Sequence, residues 1–171
     1  MRSVQQIPRK EIVDLLNKCW MTHDGMWFFH CLQEFGIEAT NRINLAAIRS
    51  LAFIEIKRIK QLLGIENQIK DFETFRSFFM QASELMVPDF MNVRFNFPET
   101  NQVTWVFNQG KCFAYEGIKR VGVIDKYACG VLYRIKCWLD VLEIENSFDP
   151  AIGKCNMHVK GHCSGNIHLT F

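Results

Sequence analysis

The chain of 171 residues has no excess of charge of either sign, with twenty Lys and Arg against eighteen Asp and Glu. The charges are interspersed, and the short basic stretch Lys57-Arg58-Ile59-Lys60 falls within a helical pattern. The basic footprint that phosphate-backbone binding requires is therefore missing, and no nucleic-acid partner is expected. No apolar run approaches the length of a membrane span, so no membrane partner is expected. Met1 to Arg9 carry charge and Gln but no apolar core, which leaves no secretory signal to read. The expected location is cytoplasmic. The seven Cys residues are then reduced thiols, and their odd number and scattered spacing argue against a disulfide framework.

Other absences narrow the chemistry. There is no Gly-x-Gly-x-x-Gly, phosphate-binding loop, Gly-x-Ser-x-Gly elbow or His-Glu-x-x-His in the chain. The nucleotide-dependent and hydrolase families that carry those marks are disfavoured. Repeats, low-complexity stretches and linkers are also missing, so residues 1–171 read as one domain.

What is present is a large apolar fraction, 49%, with fifteen Phe, four Trp and three Tyr. That suffices for an aromatic core without a disulfide or structural metal. Residues 1–87 read as mainly helical. Pro8 is pre-set for a helix start, and Ile12, Leu16, Cys19, His23, Trp27, His30 and Glu34 recur at steps of three or four, ending at Phe35-Gly36. A second stripe, Asn44, Ile48, Leu51, Glu55, Ile59 and Leu62, stops at Gly64. A third, with Phe72, Phe75, Phe79, Ala82 and Met86, ends before Pro88.

Residues 88–171 read as strands plus one helix. Val93, Phe95 and Phe97 alternate with polar residues, and Val103, Trp105 and Phe107 resume the alternation after a turn, giving a hairpin. A helix is expected from Asp125 to about Leu142. Alternation at Cys155-Met157-Val159 and Ile167-Leu169-Phe171 suggests two closing strands joined by Gly161–Gly165. The predicted fold is α+β, with N-terminal amphipathic helices packed on a small antiparallel sheet and one further long helix.

The first two helices suggest where chemistry lies. The stripe of the first turns from apolar to His23, Trp27, His30 and Glu34 without changing face, and Glu55 interrupts the apolar stripe of the second. Ionisable groups aimed inward need partners, water, a metal or a ligand. Three readings stay open. Glu55 pairs with an arginine, Arg42, Arg49 and Arg58 being near in sequence. Alternatively, Trp20, His23, Trp27, His30, Glu55 and Cys112 line a pocket for a small molecule. The third reading is a divalent metal held by His30, Glu34 and Glu55, although His23 and His30 lie roughly 10 Å apart by helix rise, too far to share one ion. As an enzyme, the chain would be a hydrolase with His30 or Glu55 as general base and Cys112 or Cys163 nearby. Cys163, beside His162 at a Gly-rich turn, is expected to be an exposed and partly activated thiol, whereas Cys155, Cys129 and Cys137 read as core. A homodimerising or interaction module, using the polar stripe as its interface, is the third function considered.

The residues Trp20-Met21-Thr22-His23-Asp24-Gly25-Met26-Trp27-Phe28, with Glu34 to Ala39 and Ala52 to Arg58, resemble an uncharacterised family of small bacterial and archaeal cytosolic proteins. Its mark is a W-x-x-H-D-G-x-W segment followed by E-x-K-R, and it carries no activity to transfer. The end of the chain, with Cys129-Gly130, Glu145, Cys155, Gly161 and Cys163 before a closing strand, is similar to vinyl-reductase-type ligand-binding domains and to aminothiazoline-carboxylate hydrolases. The spacing of the two last cysteines departs from the C-x-x-x-G-x-x-x-C of those ends. The first resemblance implies a domain enclosing a small hydrophobic or tetrapyrrole-like ligand, and the second implies hydrolysis of a cyclic amide-like bond.

Overall fold

The computed structural model describes residues 2–171. Its first large element is the helix α1, Arg9–Leu62, which is helical throughout except at Gly36 (φ 72°, ψ 171°). The two opening helices thus join without a loop, and Gly36 alone turns the chain. Had α1 run straight, Trp20 and Glu55 would be about 52 Å apart by helix rise. Both instead touch Arg134, Trp20 through its ring and Glu55 through its carboxylate. The arms on either side of Gly36 therefore fold back towards each other as a V. Thr40 Oγ1 donates to Gly36 O at 2.7 Å, which ties down a carbonyl at the break.

Helix α2, Phe72–Met86, follows, capped by Asp71, whose carboxylate accepts from Thr74 N. Its buried Phe72, Phe75, Phe78 and Phe79 repeat at helical spacing. Strands β1 (Val93–Asn96) and β2 (Gln102–Phe107) form the predicted hairpin, with Val93 opposite Phe107 and Phe95 opposite Trp105. Helix α3 (Phe113–Arg120) and helix α4 (Gly130–Val141) precede strand β3 (Glu145–Asp149), short helix α5 (Asn156–Lys160) and strand β4 (Ser164–Thr170). All pairs are antiparallel, in the order β1-β2-β4-β3.

One face of this sheet is apolar. Val103, Trp105, Ile167 and Leu169 are nearly inaccessible, while Arg94, Asn96, His168 and Thr170 on the other face are exposed. Phe79 meets Phe95 and Phe97 edge-on, which docks α2 on β1. Gly165 lies under Trp105, where a Cβ would come within 2.5 Å of the indole and 2.3 Å of Asp149 O. The α+β architecture is as predicted.

Several local expectations are corrected. Cys155-Met157-Val159 lies on α5 rather than a strand, because Gly161 in the left-handed conformation closes one helical turn there. The strand beside β4 is instead β3, whose inward positions are Asn146 and Phe148, so its alternation is only half apolar. The helix expected from Asp125 starts at Gly130, after a 3-10 turn at Ile124–Lys126. Helix α3 was not anticipated.

The backbone at Gly36 is one that L side chains resist, whereas Gly25 is helical with open space where a Cβ would go. Gly36→Ala is expected to destabilise the protein by about 1–3 kcal/mol. Gly25→Ala is expected to stabilise it by about 0.5–1 kcal/mol. Urea unfolding of the two variants beside the wild type checks the opposite signs.

Candidate functional site

The V of α1 is closed by α4. At the start of α4, Gly130 sits so close to the far arm that a Cβ would meet Ile48 Cδ1 at 2.8 Å and Asn44 Nδ2 at 3.0 Å. Asn41 bonds both Lys126 O and Ala128 N, and Arg49 donates to Tyr133 Oη at 2.7 and 3.0 Å. These contacts hold α4 along residues 41–55. Phe28 of the near arm meets Tyr127 edge-on, and Asn17 Nδ2 donates to Leu85 O at the end of α2.

Inside this frame is a cavity of about 550 Å³. Its walls are Trp20, Met21 and Phe28 from the near arm, Ile48 and Leu51 from the far arm, Phe79, Phe95 and Phe107 from α2 and the sheet, Ile118 from α3, and Val131 and Ile135 from α4. Polar groups are few, chiefly Asp24, Asn44, Arg120 and Arg134.

Arg134 organises one end. Its Nε donates to Glu55 Oε2 at 3.0 Å and its Nη2 to Glu55 Oε1, a two-pronged pair. Trp138 Nε1 donates to Glu55 Oε2 at 2.9 Å. The guanidinium carbon lies 4.6 Å from the Trp20 ring centroid and 5.4 Å from that of Trp138. Asp24 is open to solvent on one side and backs onto the cavity on the other. Desolvation holds its carboxyl above the usual carboxylate range, partly offset by the charges of Arg134 and His23.

The placement of the predicted residues is mixed. Trp20 lines the cavity as expected. Glu55 is buried as expected, but behind the wall and matched by Arg134, rather than by Arg42, Arg49 or Arg58. His23, Trp27, His30 and Glu34 are exposed and line no cavity, which corrects the inward stripe. The inward face is rotated by one residue and runs through Val13, Asn17, Trp20, Met21, Asp24, Phe28 and Cys31. Apolar side chains occur on both faces, with Leu15, Leu16 and Trp27 each about three-fifths exposed, so periodicity alone does not separate them. For that reason the periodicity leaves Asp24, a residue of the cavity wall, off the inward stripe. Arg134 gave no local signal.

The metal set His30, Glu34 and Glu55 is not brought together, since the first two face solvent and Glu55 is taken by Arg134 and Trp138. Among the described residues, no three His, Cys, Asp or Glu are grouped to hold an ion. The catalytic set is not assembled either. Cys163 is buried, not an exposed activated thiol, and burial raises its pKa. Cys112 is buried beside the cavity wall without lining it. Burial pushes the Cys112 thiol up to about 11 and that of Cys129 up to about 12. Folding then favours the neutral thiols, and this stabilisation, full below the ordinary value of 9.0, is lost as pH rises towards 11–12. His158 and His162, adjacent in sequence to Cys155 and Cys163, are exposed.

Truncating Glu55 leaves a partly buried guanidinium without its anion, which costs about 2–4 kcal/mol, less than for a fully buried pair. Glu55→Ala is expected to show that loss in thermal or denaturant unfolding. Glu34→Ala, on the exposed face, is expected to stay within about 0.5 kcal/mol of wild type.

Among the described residues, no helix is long and apolar enough to cross a membrane. No curated protein and no solved structure matches the chain. A family model does match, described as a family of unknown function (DUF6125), and it spans residues 5–136. Those residues include both arms of α1, the hairpin and the part of α4 that carries Arg134. By a match over most of its length, the chain belongs to the family of unknown function DUF6125.

Proposed function

We propose that this protein is a cytoplasmic small-molecule-binding domain whose ligand occupies the cavity between the V of α1, helix α4 and the sheet. The observation that carries the reading is the cavity itself, about 550 Å³ of mainly apolar space with polar groups concentrated at a few points. Ligand sites have that size and make-up, whereas packed cores leave few voids larger than a water molecule. Seven free cysteines suit a reducing compartment. The resemblance of the C-terminal part to vinyl-reductase-type domains favours the same reading.

A neutral apolar fluorophore, N-phenyl-1-naphthylamine, is expected to bind with a blue-shifted, saturable emission. Val131→Trp, which adds bulk to a wall residue facing free space, is expected to weaken that binding about tenfold with the unfolding midpoint little changed. Equal binding by the variant would overturn the reading.

A second reading, self-association, is favoured by the outer face of α1. Leu15, Leu16, Met26 and Trp27 on the near arm and Phe53 and Ile54 on the far arm are 43–63% exposed. At about 200 Å² per side chain they offer on the order of 700 Å², close to the roughly 800 Å² per partner of a standard interface. The arms differ in sign. Residues 9–35 hold three basic and four acidic side chains, residues 37–62 five basic and two acidic. A second copy laid near arm to far arm therefore gains charge complementarity as well as apolar burial. Sedimentation is expected to give a dimer at micromolar concentration and a monomer for Leu16→Glu/Trp27→Glu. A wild-type monomer at all concentrations sinks the idea.

A further inference from the structure

The ligand's polar group follows from how Arg134 is held. The two-pronged pair with Glu55 uses Nε and Nη2, and the Trp20 and Trp138 rings lie against the guanidinium. Among the described residues, Nη1 has no protein hydrogen-bond partner, and it is not among the sealed polar atoms that lack one. Arg134 lines the cavity, and Nη1 is the nitrogen that its hydrogen bonds to Glu55 leave free to donate. Asp24 lines the same cavity, lies one helical turn on from Trp20, whose ring packs against the guanidinium, and has no hydrogen-bond partner among the described residues. It supplies an acceptor.

The charges decide which group fits this donor and acceptor. Glu55 already matches Arg134, so beside Asp24 an incoming carboxylate meets two carboxylates and one guanidinium, the other cation of the cavity wall being Arg120 at the end of α3. An incoming ammonium gains Asp24 but approaches the guanidinium, and it cannot use the Arg134 donor at all. A neutral group with a carbonyl beside an N–H uses both, accepting from Nη1 and donating to Asp24, and brings no charge into an apolar space.

We propose that the Asp24–Arg134 end of the cavity recognises a carboxamide, or another neutral group with adjacent carbonyl and N–H, on a ligand whose remainder is an apolar ring system against Phe28, Phe107 and Ile135. The proposal rests on the cavity being a ligand site. The resulting specificity is chemical: donors and acceptors fixed at the end of an apolar cavity and left unmatched by the wrong ligand discriminate more sharply than apolar contacts do.

The test uses three probes with one body: indole-3-acetamide, indole-3-acetate and tryptamine. Each is titrated at neutral pH into the full chain by displacement of N-phenyl-1-naphthylamine. The amide is expected to displace the dye at least tenfold more tightly than the acid or the amine. In Asp24→Ala, a change at a side chain that makes no hydrogen bond in the fold, the dye affinity is measured first and the amide is then expected to lose its tenfold advantage over the acid and the amine. Acid or amine binding as tightly as amide, dye binding with none of the three competing, or an amide preference that survives in Asp24→Ala would each overturn the proposal. Failure of the dye itself would instead overturn the cavity as a ligand site.

Discussion

The Glu55–Arg134 pair is the tie on which the two halves of the molecule depend. Glu55 comes from the far arm of α1, Arg134 from α4, and Trp20 from the near arm lies against the guanidinium. Three stretches distant in sequence thus meet at one charged group. Buried ion pairs of this kind contribute little net stability over an apolar substitute, yet they are costly to break. Their effect here is geometric, because the pair sets how far α4 enters the V and leaves space beyond it.

That space also requires the bend. A single residue with positive φ, Gly36, folds α1 back without a connecting loop, and Gly130 lets α4 lie close to the far arm. The sheet contributes an apolar floor, since its inward residues include the buried Val103, Trp105, Ile167 and Leu169 and its outward ones are mostly polar. Helix α2 is fixed to that floor by Phe79 against Phe95 and Phe97. The cavity is what these packings do not fill.

Much of this was legible in the order of residues. The far-arm stripe through Asn44, Ile48, Leu51, Glu55 and Ile59 is inward as its spacing implies, whereas its last member, Leu62, is exposed at the helix end. The Phe95–Trp105 hairpin and the Phe72–Met86 helix are likewise strongly periodic. The near arm misled because Leu15, Leu16, Met26 and Trp27 put large apolar groups on its solvent side, so two faces compete for the inward role. A one-residue rotation then exchanged His23 and Trp27 for Asp24 and Phe28. That the buried Glu55 needs a cation follows from local chemistry. That Arg134, seventy-nine residues on, supplies it follows only from tertiary packing. The edge strand β3 escaped notice since Asn146 takes one of its inward places.

The absence of a loop at Gly36 has a mechanical corollary. The near arm is a stiff lever of about 40 Å pivoting on one backbone position, so a swing of about 5° carries its tip roughly 3.5 Å. What opposes that swing at the far end is the exposed pair of Lys10 with Asp89, the hydrogen bond from Asn17 to Leu85 O and the contact of Lys18 with the Phe90 ring. The molecule has leverage built into its longest element, so the width of the space inside the V changes by tilting one rod instead of unravelling any of the fold.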